Sequence, residues 1–222
     1  MIITIDGNAG SGKSTAARKL AGRLNIAYLD TGAMYRAIAW AALEHGVDFE
    51  DPEALAALAR EVNLEVDCGP THTRVKINDR DVTEAIRTME VNRHTSAVAR
   101  NQPIRDLLVE KQRQIGRRLG ALVTEGRDQG SVVFPDADAK FVMEASLDKR
   151  TERRYAELVA DGEEVDIAEV RRNLDSRDAT DARQWAALYA PGAAIRIDTS
   201  HMSIPQVVDR LLAHIRQLNH GR

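Results

Sequence analysis

An α/β fold built on a parallel sheet with helices on both sides is what the sequence predicts, and three observations predict it. Short β-branched runs alternate with helix-periodic stretches along most of the chain. The first run, Ile2-Ile3-Thr4-Ile5, passes directly into a glycine-rich turn and then a helix. One stretch, from Asn63 to Val82, changes to a period of two, so a small antiparallel sheet is expected to interrupt the alternation.

Element by element, Ile2 to Ile5 is apolar and β-branched, as suits a parallel strand buried on both faces. Ala17, Leu20, Ala21 and Leu24 then repeat at helical spacing within Lys13 to Leu24, with Arg18, Lys19 and Arg23 between them. Ile26 to Asp30 reads as a second strand and Met34 to His45 as an alanine-rich helix. Asp51-Pro52 is a helix start, leading into Glu53 to Val62. Leu64-Glu65-Val66-Asp67 and Arg74-Val75-Lys76-Ile77 alternate apolar with polar residues around a Gly-Pro turn. Helical patterning resumes from Thr88 to Leu119. Leu122 to Glu125 and Ala139 to Met143 are further strands, and Arg150 to Ala160 and Ile167 to Arg177 are charged helices separated by Asp161-Gly162. Ala194 to Asp198 closes the sheet, and Ser203 caps an amphipathic helix over Ile204 to Leu218.

The 222 residues suit one domain, and 43% hydrophobic with 29% charged residues excludes wholesale disorder and an integral membrane protein. No apolar run approaches the roughly 18 residues of a spanning helix, and no signal-peptide pattern opens the chain, so a cytoplasmic location without membrane partners is expected. Cys68 is the single cysteine, which excludes an intramolecular disulfide framework and a cysteine-built metal cage. A net charge of -3 argues against a nucleic-acid partner. Arginine outnumbers lysine 25 to 6. Guanidinium groups bind phosphate bidentately, but a source-genome bias explains the bulk count equally well, so position decides which arginines matter.

Gly7-Asn8-Ala9-Gly10-Ser11-Gly12-Lys13-Ser14 fits G-x-x-x-x-G-K-[ST] at every fixed position, followed by Thr15, and it lies between a strand and a helix as the mechanism requires. In such a loop, backbone N–H groups and the helix N-terminus cradle a β-phosphate. Lys13 would bridge β- and γ-phosphate oxygens, and Ser14 would offer its hydroxyl to Mg²⁺. The chain is therefore expected to have the P-loop NTPase fold and to bind ATP or another nucleoside triphosphate. The loop alone does not separate a switch GTPase, a motor ATPase and a kinase. An Asn-Lys-x-Asp guanine-reading motif does not occur, and the strand Leu122-Val123-Thr124-Glu125 runs into Gly126-Arg127-Asp128 instead of a second acidic residue. An arginine at a strand's C-terminal edge suggests a second phosphate-bearing substrate.

Further motifs narrow the class. Asp30-Thr31-Gly32-Ala33-Met34-Tyr35-Arg36, Ile86-Arg87-Thr88, Glu125-Gly126-Arg127-Asp128-Gln129-Gly130, Val132-Val133-Phe134-Pro135 and Arg177-Asp178 join the phosphate loop in an order that resembles the bacterial cytidylate kinases, from end to end. The resemblance implies Mg²⁺-dependent phosphorylation of CMP and dCMP by ATP, by a monomer organised as a single unit over 1–222. Its core would cover 1–62, 120–148 and 190–222, its monophosphate-binding region with the β insert about 31–119, and its lid about 149–176. It further implies that Thr31, Arg36 and Arg127 hold the CMP phosphate, with Arg127 also catalytic beside Lys13 and Arg177. Asp128, Ser96 and Arg105 would meet the cytosine ring, where a carboxylate accepts from the N4 amino group and rejects the O4 of uracil. Arg177 and Asp181 stand at i and i+4, placed to reach phosphate and ribose if one helix spans both. Arg150, Arg153 and Arg154 resemble the arginines of a lid closing over ATP.

The chain departs from that pattern at three places. Asn8 replaces a usual proline, an expected arginine three residues after Asp181 is Gln184 with Arg183 one position early, and Ala186-Ala187-Leu188 lacks a usual proline. The alternatives are a related kinase of UMP or another small phosphate acceptor, and a nucleotide-binding module without turnover.

Overall fold

The computed structural model describes residues 1–160, 162–181 and 186–220. The chain opens as expected, with β1 (Ile2–Gly7), α1 (Lys13–Leu24), β2 (Ala27–Asp30), α2 (Thr31–Glu44) and α3 (Pro52–Glu61). α2 begins three residues before Met34 because the Asp30 side chain accepts from the Ala33 N–H at 2.9 Å, an N-cap at the very end of the strand. Asp51 caps α3 in the same way, accepting from Glu53 and Ala54, with Pro52 in the first turn.

The period-two stretch forms β3 (Leu64–Cys68), β4 (Thr73–Ile77) and a short β5 (Arg80–Asp81), antiparallel, with Leu64 opposite Ile77 and Val66 opposite Val75. The 88–119 region is two helices, α4 (Met89–Arg100) and α5 (Gln102–Leu119). Asn101 breaks them apart: its backbone is extended, its Oδ1 accepts from Ile104 N, and its Nδ2 donates to Pro52 O at 2.7 Å. Pro103 lacks the N–H that continuing α4 would have used. The remaining elements are β6 (Leu122–Gly126), β7 (Ala139–Glu144), α6 (Leu147–Ala160), α7 (Ile167–Asp181), β8 (Ile195–Asp198) and α8 (Ile204–His220). Gln206 Oε1 reaches back to accept from Ser203 N at 2.8 Å and from Ser203 Oγ at 3.0 Å at the start of α8.

The five long-range strands pair in parallel in the order β2-β6-β1-β7-β8. Parallel neighbours need crossover connections, and the helices that make them cover both faces of the sheet. One side is a core of Met34, Ile38, Leu55, Ile86, Ile104 and Leu108, shared by α2, α3, α4, α5 and the antiparallel insert. On the other, Ile3, Ile5 and Phe141 meet Leu20 of α1 and Leu211 of α8. Phe141 is fully buried, and its truncation to alanine would cost about 3–5 kcal/mol. Among the described residues no helix is long and apolar enough to cross a membrane.

In the sheet register, Asp30 of β2 lies opposite Glu125 of β6, and Asp6 of β1 lies opposite Gly126. The C-terminal ends of three adjacent strands therefore reach one edge together. Ligands of open α/β sheets bind beyond such an edge.

Candidate active site

The phosphate loop begins where β1 meets β7. A Cβ on Gly7 would stand 2.1 Å from the Met143 carbonyl oxygen, so only glycine permits the chain to leave the strand here. Gly12, at φ 87°, turns the loop into the N-terminus of α1. Lys13 Nζ donates across the loop to Asn8 O at 3.3 Å. Loop carbonyls are engaged from outside: Ser11 O accepts from Thr199 Oγ1 at 3.0 Å and from Arg153 Nη1 at 3.3 Å, and Ala9 O from Arg150 Nη1 at 3.3 Å. With these carbonyl groups engaged by neighbouring side chains, the loop can offer amide groups to an anion. Ser11 is fully buried and its Oγ has no partner among the described residues, a polar atom that a phosphate oxygen would satisfy.

Glu125, at the end of β6, meets this loop directly. Its Oε1 accepts from Ser14 Oγ at 2.9 Å, and its Oε2 is 3.9 Å from Lys13 Nζ. Burial pushes the Glu125 carboxyl above the ordinary range, and the Lys13 ammonium acts against that shift. Two hard oxygen donors beside the triphosphate lysine fit Mg²⁺, which takes one or two protein oxygens and completes its shell with phosphate oxygens and water. Among the described residues no cluster of three or more His, Cys, Asp or Glu forms a separate metal cage.

The neighbouring strand end gathers guanidinium groups. Asp30 Oδ2 accepts from Arg36 Nη2 at 2.9 Å and Arg87 Nη2 at 3.1 Å while Oδ1 caps α2. Burial works to raise the Asp30 carboxyl, but Arg36, Arg87 and the Ala33 amide outweigh it and hold the carboxyl below its usual range. Arg36 Nε is buried with no partner among the described residues, so this guanidinium retains a donor for an anion. Thr31 Oγ1 donates to Glu125 O at 2.8 Å, pinning β2 to β6. Beyond Glu125, Arg127 Nη1 donates to Gly126 O at 3.4 Å, and Asp128 Oδ2 receives Arg105 Nη2 at 2.5 Å. Tyr35 is close enough to this pair that, after burial, the Asp128 charge is the next cause raising its phenol above the usual range.

Residues 3–217 match the family model described as cytidylate kinase. The chain belongs to the cytidylate kinase family. A cytidylate kinase from Desulfitobacterium hafniense (strain Y51) is 43% identical over 212 residues, covering 95% of this chain and 90% of that protein. A bifunctional pantoate ligase/cytidylate kinase from Synechococcus sp. (strain JA-3-3Ab) is 44% identical over 221 residues, 98% of this chain. The chain spans 41% of that longer relative. A crystal structure of an uncharacterized protein from Eubacterium ventriosum ATCC 27560 shares the fold at 13% identity and a TM-score of 0.50, covering 97% of this chain and 98% of that one.

Against the cytidylate kinase pattern, the structure brings Lys13, Ser14, Thr31, Arg36, Arg127, Asp128 and Arg105 to one sheet edge. Ser96 is exposed on α4 and forms no side-chain hydrogen bond among the described residues. Arg150 and Arg153, which the sequence suggests as lid arginines over ATP, donate to carbonyl groups of the phosphate loop. Arg150 is 3% exposed and forks onto Asp178 with Nη1 at 3.0 Å and Nη2 at 2.5 Å, and its Nε donates to Ala145 O. Arg153 Nη2 donates to Thr199 O at 2.7 Å. Arg154 pairs with Glu157 at the surface at 2.6 Å. The α7 helix continues to Asp181, so Arg177 and Asp181 share a helical face in the backbone; their side chains, with Arg183 and Gln184, lie outside the described residues.

Sequence reasoning missed Glu125, Asp30, Arg87 and Asp178. Glu125 carried a signal, an acidic residue closing an apolar strand, but the arginine two positions on drew attention away from it. Asp30 and Asp178 act through partners 57 and 28 residues away, which no local pattern reveals.

Proposed function

We propose that this cytidylate kinase family member transfers the γ-phosphate of ATP to CMP and dCMP, giving ADP with CDP or dCDP, in the cytoplasm and with Mg²⁺. The observation that carries the reading is the run Glu125 to Asp128. Its first residue touches Lys13 and Ser14 of the donor loop, and its last pairs with Arg105 on the acceptor side, so four consecutive residues span both substrates.

The loop amides and Lys13 would hold the triphosphate, with Lys13 following charge onto the β,γ-bridging oxygen as that bond breaks. Ser14 and Glu125 would hold Mg²⁺, which when bound screens the phosphate oxygens and favours the leaving diphosphate. Arg36 and Arg127 would clamp the acceptor phosphate, whose own oxygen attacks the γ-phosphorus in line. That oxygen is already anionic, so no side chain need act as a general base. Asp128, oriented by Arg105, would accept from the cytosine amino group and face the O4 of uracil unfavourably.

Coupled ADP-release measurements with CMP, dCMP, UMP and AMP test the reading. The first two should give saturable, Mg²⁺-dependent turnover, UMP much less and AMP negligible. Equal kcat/KM for UMP and CMP would overturn the role given to Asp128.

A further inference from the structure

We propose that Asp6 is a positioning residue for the acceptor site: it holds the turn that presents Arg127 and Asp128 by accepting from the two backbone amides that follow them. The proposal rests on the CMP reading above for the identity of the acceptor, and on geometry for everything else.

Asp6 is fully buried at the end of β1, opposite Gly126. Its Oδ1 accepts from Gln129 N and its Oδ2 from Gly130 N, both at 2.8 Å. Residues Gln129–Val133 wind into a single π-helical turn, a wide turn found most often at functional sites. The first amides of any helical turn lack partners within it. Here one carboxylate takes two of them, each oxygen serving one N–H, and so fixes the backbone from which Arg127 and Asp128 project. The packing leaves no slack: a Cβ on Gly130 would lie 2.8 Å from Thr4 Oγ1 and 3.3 Å from Asp6 Oδ2.

A second layer fixes the Asp128 carboxylate itself. Gln129 Oε1 accepts from Thr124 Oγ1 at 2.8 Å, and Gln129 Nε2 donates to Gln112 Oε1 at 2.9 Å and to Asp128 Oδ1 at 3.4 Å. Asp128 is thus held on one oxygen by Gln129 and on the other by Arg105. Gln129 and Gln112 are each 1% exposed, so these orientations are set inside the core of β1, β6 and α5. The carboxylate and amide network supports Asp128 and the turn that follows it, and among the described residues none of its side-chain hydrogen bonds goes to the phosphate loop.

Asp6→Asn supplies one acceptor where two are needed and turns an NH₂ group toward the remaining N–H. A lost buried hydrogen bond of this kind corresponds to about a tenfold change or more, which should appear as a higher KM for CMP and a lower CMP:UMP ratio of kcat/KM. The KM for ATP should stay within about twofold. Gln129→Met keeps the Asp6 contacts and removes the hold on Asp128, so it should lower the CMP:UMP ratio by about tenfold with a smaller change in KM. If Asp6→Asn does not fold by circular dichroism, Asp6→Ser, which keeps one acceptor oxygen in a smaller side chain, takes its place and is read in the same way.

An unchanged acceptor ratio in the folded variants, or a KM for ATP that rises as much as that for CMP, would overturn the positioning role. If the wild type prefers another monophosphate, the CMP reading fails on the wild-type data alone, and the same split is then read with that acceptor.

Discussion

Glu125→Gln isolates the contact between the donor loop and the acceptor strand. The substitution keeps shape and one acceptor for Ser14 Oγ, but removes a charge 3.9 Å from Lys13 Nζ. At an effective dielectric of about 20 such a pair interacts by about 4 kcal/mol. Relief from burying the carboxylate offsets several kcal/mol of this in the resting protein. Folding stability should therefore change little. The offset does not extend to the reacting complex, where on the proposed reading the carboxylate would help hold Mg²⁺. There the loss should resemble that of one preorganised electrostatic partner, about 10²–10³ in kcat. Initial rates of ADP release across a Mg²⁺ titration would give kcat and the Mg²⁺ midpoint, and calorimetry without Mg²⁺ would give ATP affinity. The expected pattern is a large fall in kcat, a higher Mg²⁺ midpoint and ATP affinity within about twofold of wild type. A kcat within about threefold of wild type would refute the reasoning, because the Ser14–Glu125 contact would then be structural only.

Arg127→Ala should lower kcat/KM for CMP by about 10²–10³ while ATP binding, measured by calorimetry, holds; lost ATP affinity would reassign Arg127 to the donor side. Asp128→Asn should narrow the CMP:UMP ratio of kcat/KM by about 10–100-fold, since an amide tolerates uracil O4 where a carboxylate does not. Asp178→Ala leaves the buried Arg150 without its carboxylate and should cost about 3–5 kcal/mol in urea denaturation, whereas Asn8→Ala, which removes the 2.9 Å Asn8 Nδ2 to Asp178 hydrogen bond and keeps the backbone N–H, should cost about 1 kcal/mol. Burial outweighs the two backbone amides and raises the Asp6 carboxyl to about 6, from 3.8 unperturbed, so the native state binds this proton more tightly than the unfolded chain. Stability should therefore fall as pH rises through that window, and the unfolding free energy of Asp6→Asn, measured by urea denaturation at each pH, should depend less on pH between about pH 4 and pH 6 than that of the wild type.

How much of this site was legible depended on whether a residue's partner lies close in sequence. The phosphate loop is local: strand, glycines, lysine and helix start occupy fourteen consecutive positions or fewer, and the structure reproduces them in place. The antiparallel insert is equally local, because its alternation sets its own register. Helical patterning runs from Thr88 to Leu119 through Asn101 and Pro103, and the pattern does not show where α4 ends because the break depends on Asn101 reaching Pro52 across the fold. Arg150 and Arg153 show the other limit. Arginines on a charged helix read as exposed, since arginine is seldom buried unless paired. Their partners here are Asp178, the Thr199 hydroxyl and the carbonyl groups of residues 9, 11, 145 and 199, and periodicity does not point to the distant ones.

Those same contacts revise what the arginine excess means. Arg36 and Arg127 stand at the sheet edge where phosphates would lie, yet Arg150 and Arg153 spend their donors on backbone carbonyls and one carboxylate behind the loop. A phosphate loop presents amides inward only if its carbonyl groups are satisfied outward, and a guanidinium, with five donors in a rigid fork, can satisfy several from one position. Asn8 adds to the arrangement. Its side-chain amide joins Arg150 on Asp178, linking the loop to the helix that carries Arg177. Part of the arginine supply therefore supports the backbone of the loop, and only position in the fold separates that part from the arginines at the sheet edge.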